Sequence, residues 1–214
     1  MKEKPNEWVA IADLMAGVMA VVMLLLVLSV VQKQYADVRH KAEMEQGSAA
    51  QRKHIAQMLQ DMKAAFAQQG AEGLVSIDAQ AGKVVLRDNV FARGSACITP
   101  EARAAFAQVE DKISAYLDSM PGGQIYVEGH TDNLQVGRPV TDFSHFCTVY
   151  DDNYTLSAAR AREARRLLIG KLDAQVAKRV VVAGFGDSHP LANVPPEDAR
   201  NRRVEVRFVA QQNG

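Results

Sequence analysis

Net charge is missing from this chain of 214 residues, in which 25 lysines and arginines balance 25 aspartates and glutamates. Without a basic excess the surface has no charge-driven hold on phosphates, so nucleic acid is not expected as a partner. Nucleophile signatures are missing as well: no G-x-S-x-G elbow occurs. Gly184 and Gly186 lack the third glycine and the following helix of a dinucleotide turn, which leaves them as turn glycines. Cysteine is scarce, with only Cys97 and Cys147. Two spaced pairs, His130 with Asp132 and His145 with Cys147, do not reproduce a zinc-ligand pattern. The chain is therefore expected to be no enzyme and to hold no metal and no cofactor.

Charge is also unevenly placed. Mean hydropathy is −0.14 over the whole chain, yet Val9 to Val31 is a run of 23 residues whose single charge is Asp13. As a helix this run reaches about 34 Å, enough for a hydrocarbon core of about 30 Å. A cleaved signal peptide fits poorly, because its apolar region is shorter and ends in a small-residue cleavage pattern that is absent before Gln32. We expect a membrane span. Lysines and arginines flank both ends, so the positive-inside count leaves its orientation open. Asp13 lies about one turn inside, after Trp8. An acid in a bilayer is expensive, and such residues usually face a protein interior or a wet pathway and often carry protons. A single helix has no polar pathway of its own, so transport would require partner helices. An acid snorkelling to the interface is the alternative.

From Val31 to Phe66 the apolar positions step by three or four: Val31, Tyr35, Val38 and Ala42, then Ile55, Leu59, Met62 and Phe66. This spacing predicts a helical stem. It suits either a short coiled coil between two copies, interrupted at Gly47 and Ser48, or a stem packed on its own domain. Past Gly70 the period changes. Leu74–Asp78 and Lys83–Leu86 read as a hairpin, and Thr99 caps a helix with Pro100 at its first position. That helix has a stripe of Phe106, Val109, Ile113, Leu117 and Met120, and stops at Pro121, Gly122 and Gly123. Ile125–Gly129 is a strand. A long polar loop runs to Thr155, Ser157 caps a second helix ending near Gly170, and Val180–Gly184 and Arg203–Val209 are strands, the last alternating Val204, Val206 and Phe208 against Arg203, Glu205 and Arg207 and so expected to bury one face. The order predicts an α/β sandwich, with helices over one face of a sheet.

Four motifs sit on these elements in order. They are Val127-Glu-Gly-His-Thr-Asp-Asn133 at a strand end, Leu156-Ser-Ala-Ala-Arg-Ala161 at a helix start, Gly184-Phe-Gly-Asp-Ser-His-Pro190, and Asn201-Arg-Arg-Val-Glu205. Phe91 to Ala96 leads into the first helix. Over roughly residues 74 to 210 the chain resembles the OmpA-like peptidoglycan-binding domain. An acid at Asp132 and a base at Arg160 would suit a zwitterion, the carboxylate taking an ammonium and the guanidinium forking onto a carboxylate. A salt bridge between the two is the alternative. Backbone N–H groups at the helix start would add to the anion side. The resemblance implies that the ligand is the diaminopimelate of the peptidoglycan stem peptide, with Thr131, Asn153 and Leu156 as further wall-binding residues. The 27 residues between Asp132 and Arg160 make a longer loop than is usual in that family.

A membrane helix with an early acid ahead of this domain resembles the MotB-type stator B subunits of flagellar motors. The run Asp13-Leu-Met-Ala-Gly17 is more similar still to B subunits of Zorya anti-phage defence motors. That resemblance implies a proton-translocating Asp13, a homodimer, and a surrounding ring of multi-span A-type motor subunits. It also implies an inner-membrane protein with a cytoplasmic tail at residues 1–8, a transmembrane helix at 9–31, a stem at 32–70 and a periplasmic wall-binding domain at 71–214. In that compartment Cys97 and Cys147 are candidates for a disulfide, two separate buried thiols being the alternative. Flagellar or orphan stators, and a passive wall tether without transport, are the competing readings.

Overall fold

The computed structural model describes residues 7–107, 110–120, 122–170 and 172–210, with the side chains of 7–13 and 36–48 outside that description. The chain divides into two compact units, residues 1–49 and 50–214. The helix α1 is assigned over Glu7–Gln68 and so has residues in both. In the first unit Leu14–Tyr35 forms a stretch of 22 residues with mean hydropathy 2.9 and nothing buried, long and apolar enough to cross a membrane. Asp13 belongs to α1, and its side chain lies outside the described residues. The expected interruption at Gly47 and Ser48 does not occur, since both are helical. One internal glycine costs a helix only about 1 kcal/mol, which neighbouring good helix formers offset.

The second unit takes its first core residues from α1. Ile55, Met58, Leu59, Met62 and Phe66 are all buried, and their spacing places them on one stripe of the helix. Full burial of each such side chain is worth about 1.5–3 kcal/mol. Part of the segment expected to be stem is thus a core helix, which agrees with the packed alternative rather than a free coiled coil. Phe66 meets Phe106 edge to face at 5.2 Å.

The strands and helices then follow as β1 (Val75–Asp78), β2 (Lys83–Arg87), α2 (Pro100–Ala107), α3 (Glu110–Ser119), β3 (Gln124–His130), α4 (Phe143–Phe146), α5 (Asn153–Leu168), α6 (Ala174–Ala177), β4 (Val180–Gly184) and β5 (Arg203–Val209). One five-stranded sheet has the order β1-β2-β5-β3-β4. β3 and β4 are parallel, joined through α5, and the remaining pairs are antiparallel. The last strand in sequence therefore lies at the sheet's centre. Its Val204, Val206 and Phe208 enter the core as the alternation predicts. Arg203 and Glu205, expected on an open face, are also buried, because each neutralises the other at 2.6 Å.

Two local expectations change. The cap of α5 is Asp152, whose carboxylate accepts from the Thr155 N–H at 2.6 Å, while Ser157 is a fully buried residue inside the helix. The single helix expected after Thr99 is assigned as α2 and α3, and Val109 of its stripe lies outside the described residues, as does Pro121. Phe106, Ile113, Leu117 and Met120 are buried.

Close approach of α5 to the sheet depends on two glycines. A Cβ on Gly129 would lie 2.0 Å from the Ser157 carbonyl oxygen, and one on Gly184 would lie 2.6 Å from the Ala158 Cβ. With any side chain at either place α5 would have to move outward, and Arg160 would move with it.

Candidate functional site

The end of β3 and the flank of α5 hold the residues expected to bind the wall. Asp132 follows β3 and is 6% exposed, and Arg160, midway along α5, is 3% exposed. They are not paired with each other. Arg160 Nη1 donates to Asp88 Oδ1 at 3.0 Å, Arg202 Nε donates to Asp88 Oδ2 at 2.9 Å, and Arg202 Nη1 donates to Asp132 Oδ2 at 2.6 Å. Four charges alternate along one chain: Arg160, Asp88, Arg202, Asp132. The two ends are buried, and Asp88 and Arg202 in the middle are each about a third exposed.

Burial is the largest influence on Arg160 and draws its guanidinium below the usual range, and Asp88 opposes that. Arg202 is also penalised by burial, but its bonds to Asp132 and Asp88 outweigh the penalty and raise it. A buried guanidinium without an anion would be strongly destabilising, so each charge here depends on the next.

The floor of the site is tied to a second segment. Arg160 Nε donates to the Ser95 carbonyl at 3.0 Å, and its guanidinium lies 5.3 Å from the centre of the Phe91 ring. The Ser95 hydroxyl donates to the Phe146 carbonyl, and Tyr150 OH donates to the Gly94 carbonyl at 2.6 Å. Phe146 and Tyr150 belong to the long connection between β3 and α5, which ends at Asp152 rather than at Thr155 as expected and contains α4. Cys97 and Cys147 are joined as a disulfide between the same two segments.

The other expected wall-binding residues fall into different roles. Asn153 Nδ2 donates to the carbonyls of Asp132 and Leu134, so it pins the loop's start onto the first residue of α5. The Thr131 hydroxyl is buried with no hydrogen-bond partner among the described residues. Leu156 is buried in the first turns of α5. Backbone donors at the helix start do not reach Arg160, which is the eighth residue of α5, and the Thr155 N–H is taken by Asp152.

The OmpA family model matches residues 90–203, more than half of the chain. The chain belongs to the OmpA family. It is similar along its whole length to the Zorya protein ZorB of Escherichia coli, at 24% identity over 225 residues, covering 99% of this chain and 91% of that protein. Among solved structures it shares its fold with a MotB-like protein of Desulfovibrio vulgaris (TM-score 0.57, 23% identity, 76% of this chain and 98% of that one). It is likewise similar to the cell wall anchor of the type VI secretion system of Pseudomonas aeruginosa (TM-score 0.50, 30% identity, 70% and 96%). The OmpA family is non-enzymatic.

On the other face of the OmpA sheet, Glu128, His130 and Glu205 bring three possible metal-ligand atoms within 4.8 Å. Their carboxylates are already claimed. Arg207 bonds both oxygens of Glu128, and Glu205 takes Arg203 and Lys83. A divalent ion would join three cations there, so the cluster works as an ion-pair network. The pair His145 and Cys147 offers no thiolate, since Cys147 is in the disulfide.

Two members of the OmpA site were not singled out from sequence. Arg202 stands in the Asn201–Glu205 motif, and the doubled arginine was its signal. Asp88 lies in a one-turn 3-10 helix outside every motif, and nothing local marks it.

Proposed function

We propose that the chain is the wall-anchored B subunit of a stator-type, proton-driven motor of the Zorya defence kind. The observation that carries this reading is the joining of an apolar N-terminal helix to an OmpA domain, similar to ZorB in the same order along 99% of the chain. The protein sits in the inner membrane with residues 1–8 cytoplasmic, 9–31 spanning, 32–70 as the stem region and the OmpA domain in the periplasm. There the domain grips the diaminopimelate of peptidoglycan through Asp132 and Arg160, with Thr131, Asn153 and Leu156 shaping the site. Two copies stand inside a ring of multi-span A-type subunits, and Asp13 of each carries protons whose flow turns the ring. The alternating charges around Arg160 and Asp132 support the wall-binding half, since they offer a zwitterion one acid and one base.

A flagellar or orphan stator would use the same parts. The similarity to a secretion-system cell wall anchor at 30% identity favours a second reading, a passive tether without transport. Asp13→Asn separates the two, because it keeps the volume and removes the proton. The motor reading expects normal co-purification with the A-type partner and loss of phage protection or motility, whichever the operon provides. Full activity with normal assembly leaves the tether. For the wall, Asp132→Ala or Arg160→Ala in the detergent-solubilised chain should abolish co-sedimentation with purified peptidoglycan. Undiminished sedimentation of both, with native circular dichroism, would refute the cleft.

A further inference from the structure

We infer that Asp88 and Arg202 form an internal stand-in for the ligand's zwitterion, which a diaminopimelate end displaces charge for charge. The inference rests on the wall-binding reading above. Arg160, the base assigned to the ligand carboxylate, already holds a carboxylate, that of Asp88. Asp132, the acid assigned to the ligand ammonium, already holds a cation, that of Arg202. Both assigned groups are almost wholly buried, so in this arrangement a ligand reaches them only if the middle pair leaves.

The middle pair is built for leaving. Asp88 and Arg202 are each about a third exposed and bonded to one another at 2.9 Å, so they can swing toward water as a neutral unit. They come from opposite ends of the domain, 114 residues apart, and neither is an interior residue of a helix or strand. Arg160 keeps its bond to the Ser95 carbonyl during the exchange, which holds the guanidinium in place for the incoming carboxylate. The total charge of the site is the same before and after. That explains how a buried guanidinium and a buried carboxylate stay neutralised in the free protein without becoming a permanent pair with each other.

A residue that only positions Arg160 should weaken binding when it is altered, whereas a competitor should strengthen it. The test is isothermal titration of the detergent-solubilised full chain with meso-diaminopimelate. Asp88→Asn removes the competing charge and keeps the shape. It should bind roughly tenfold more tightly, the scale of one charge-assisted hydrogen bond no longer competing. Its free form should melt earlier, and its ligand-induced rise in melting temperature should be larger than that of the wild type. Unchanged or weaker binding, while Arg160→Gln binds nothing, overturns the stand-in alone. Wild-type affinity in Arg160→Gln overturns the cleft reading and the stand-in with it. If Asp88→Asn fails to fold by circular dichroism, Arg202→Gln decides by the same sign, because it frees Asp132 of its internal cation.

Discussion

Removing the disulfide tests how the long loop is held. Cys97 and Cys147 are 50 residues apart in sequence. Closing a loop of that size lowers the entropy of the unfolded chain by an amount worth about 4 kcal/mol at 25 °C. The folded side has other ties across the same gap. Tyr150 OH reaches the Gly94 carbonyl at 2.6 Å, and the Ser95 hydroxyl and the Ala96 N–H both reach the Phe146 carbonyl, at 2.9 and 3.0 Å. At about 1 kcal/mol each, these keep the loop seated once folding has occurred. The double variant Cys97→Ser, Cys147→Ser should therefore fold with native circular dichroism but lose about 4 kcal/mol, seen as a lower urea midpoint with a steeper slope, because the unfolded chain without its cross-link exposes more surface. For a unit of this size the melting temperature should fall by roughly 8–16 °C. Dithiothreitol on the wild type should produce the same shift. A midpoint unchanged on reduction would refute the entropy argument, and a collapsed circular dichroism signal would refute the claim that the hydrogen bonds suffice.

Gly129→Ala sets a methyl against the Ser157 carbonyl at 2.0 Å; it should cost several kcal/mol in urea denaturation and weaken diaminopimelate binding by displacing α5. A neutral effect on both would mean that α5 can shift without disturbing Arg160. His130 stacks on Phe185 at 5.3 Å, and neither ring nitrogen has a partner among the described residues. Burial first, then the nearby Arg203 charge, lower its pKa from 6.5 to about 4. The unfolded chain takes up this proton before the folded one, so the histidine's contribution is complete above pH 6.5 and is lost as the pH falls toward 4. That is up to about 3 kcal/mol. His130→Phe keeps the stack and gives up no hydrogen bond, so its stability should decline less than the wild type's over this interval. Parallel declines would contradict the assignment.

Short-range signals carry much of this protein. The uninterrupted apolar run before Gln32, the strands of alternating apolar residues, and the helix opened by Thr99 and Pro100 each depend on neighbours within a few residues. These features were legible without coordinates. The glycines of Glu128-Gly-His and Ala183-Gly-Phe were not: Gly184 reads locally as a turn glycine, and only the packed α5 shows that it and Gly129 are sites of close approach. The cap at Asp152 was missed because Asp151, Asp152 and Ser157 all offer capping oxygens, and only the position of α5 on the sheet chooses among them. The burial of Ile55 to Phe66 could not be told from a coiled-coil seam, since both need one apolar stripe and differ only in what covers it. The site itself divides in the same way. Asp132 and Arg160 stand in recognisable motifs, but their actual partners were hidden. β5 runs between β2 and β3, and that order brings Arg202, just before β5, to Asp88, just after β2, and to Asp132, just after β3. Sheet order is a property of the assembled core, set by which strands pair across the whole domain, and no local pattern around Asp88 contains it.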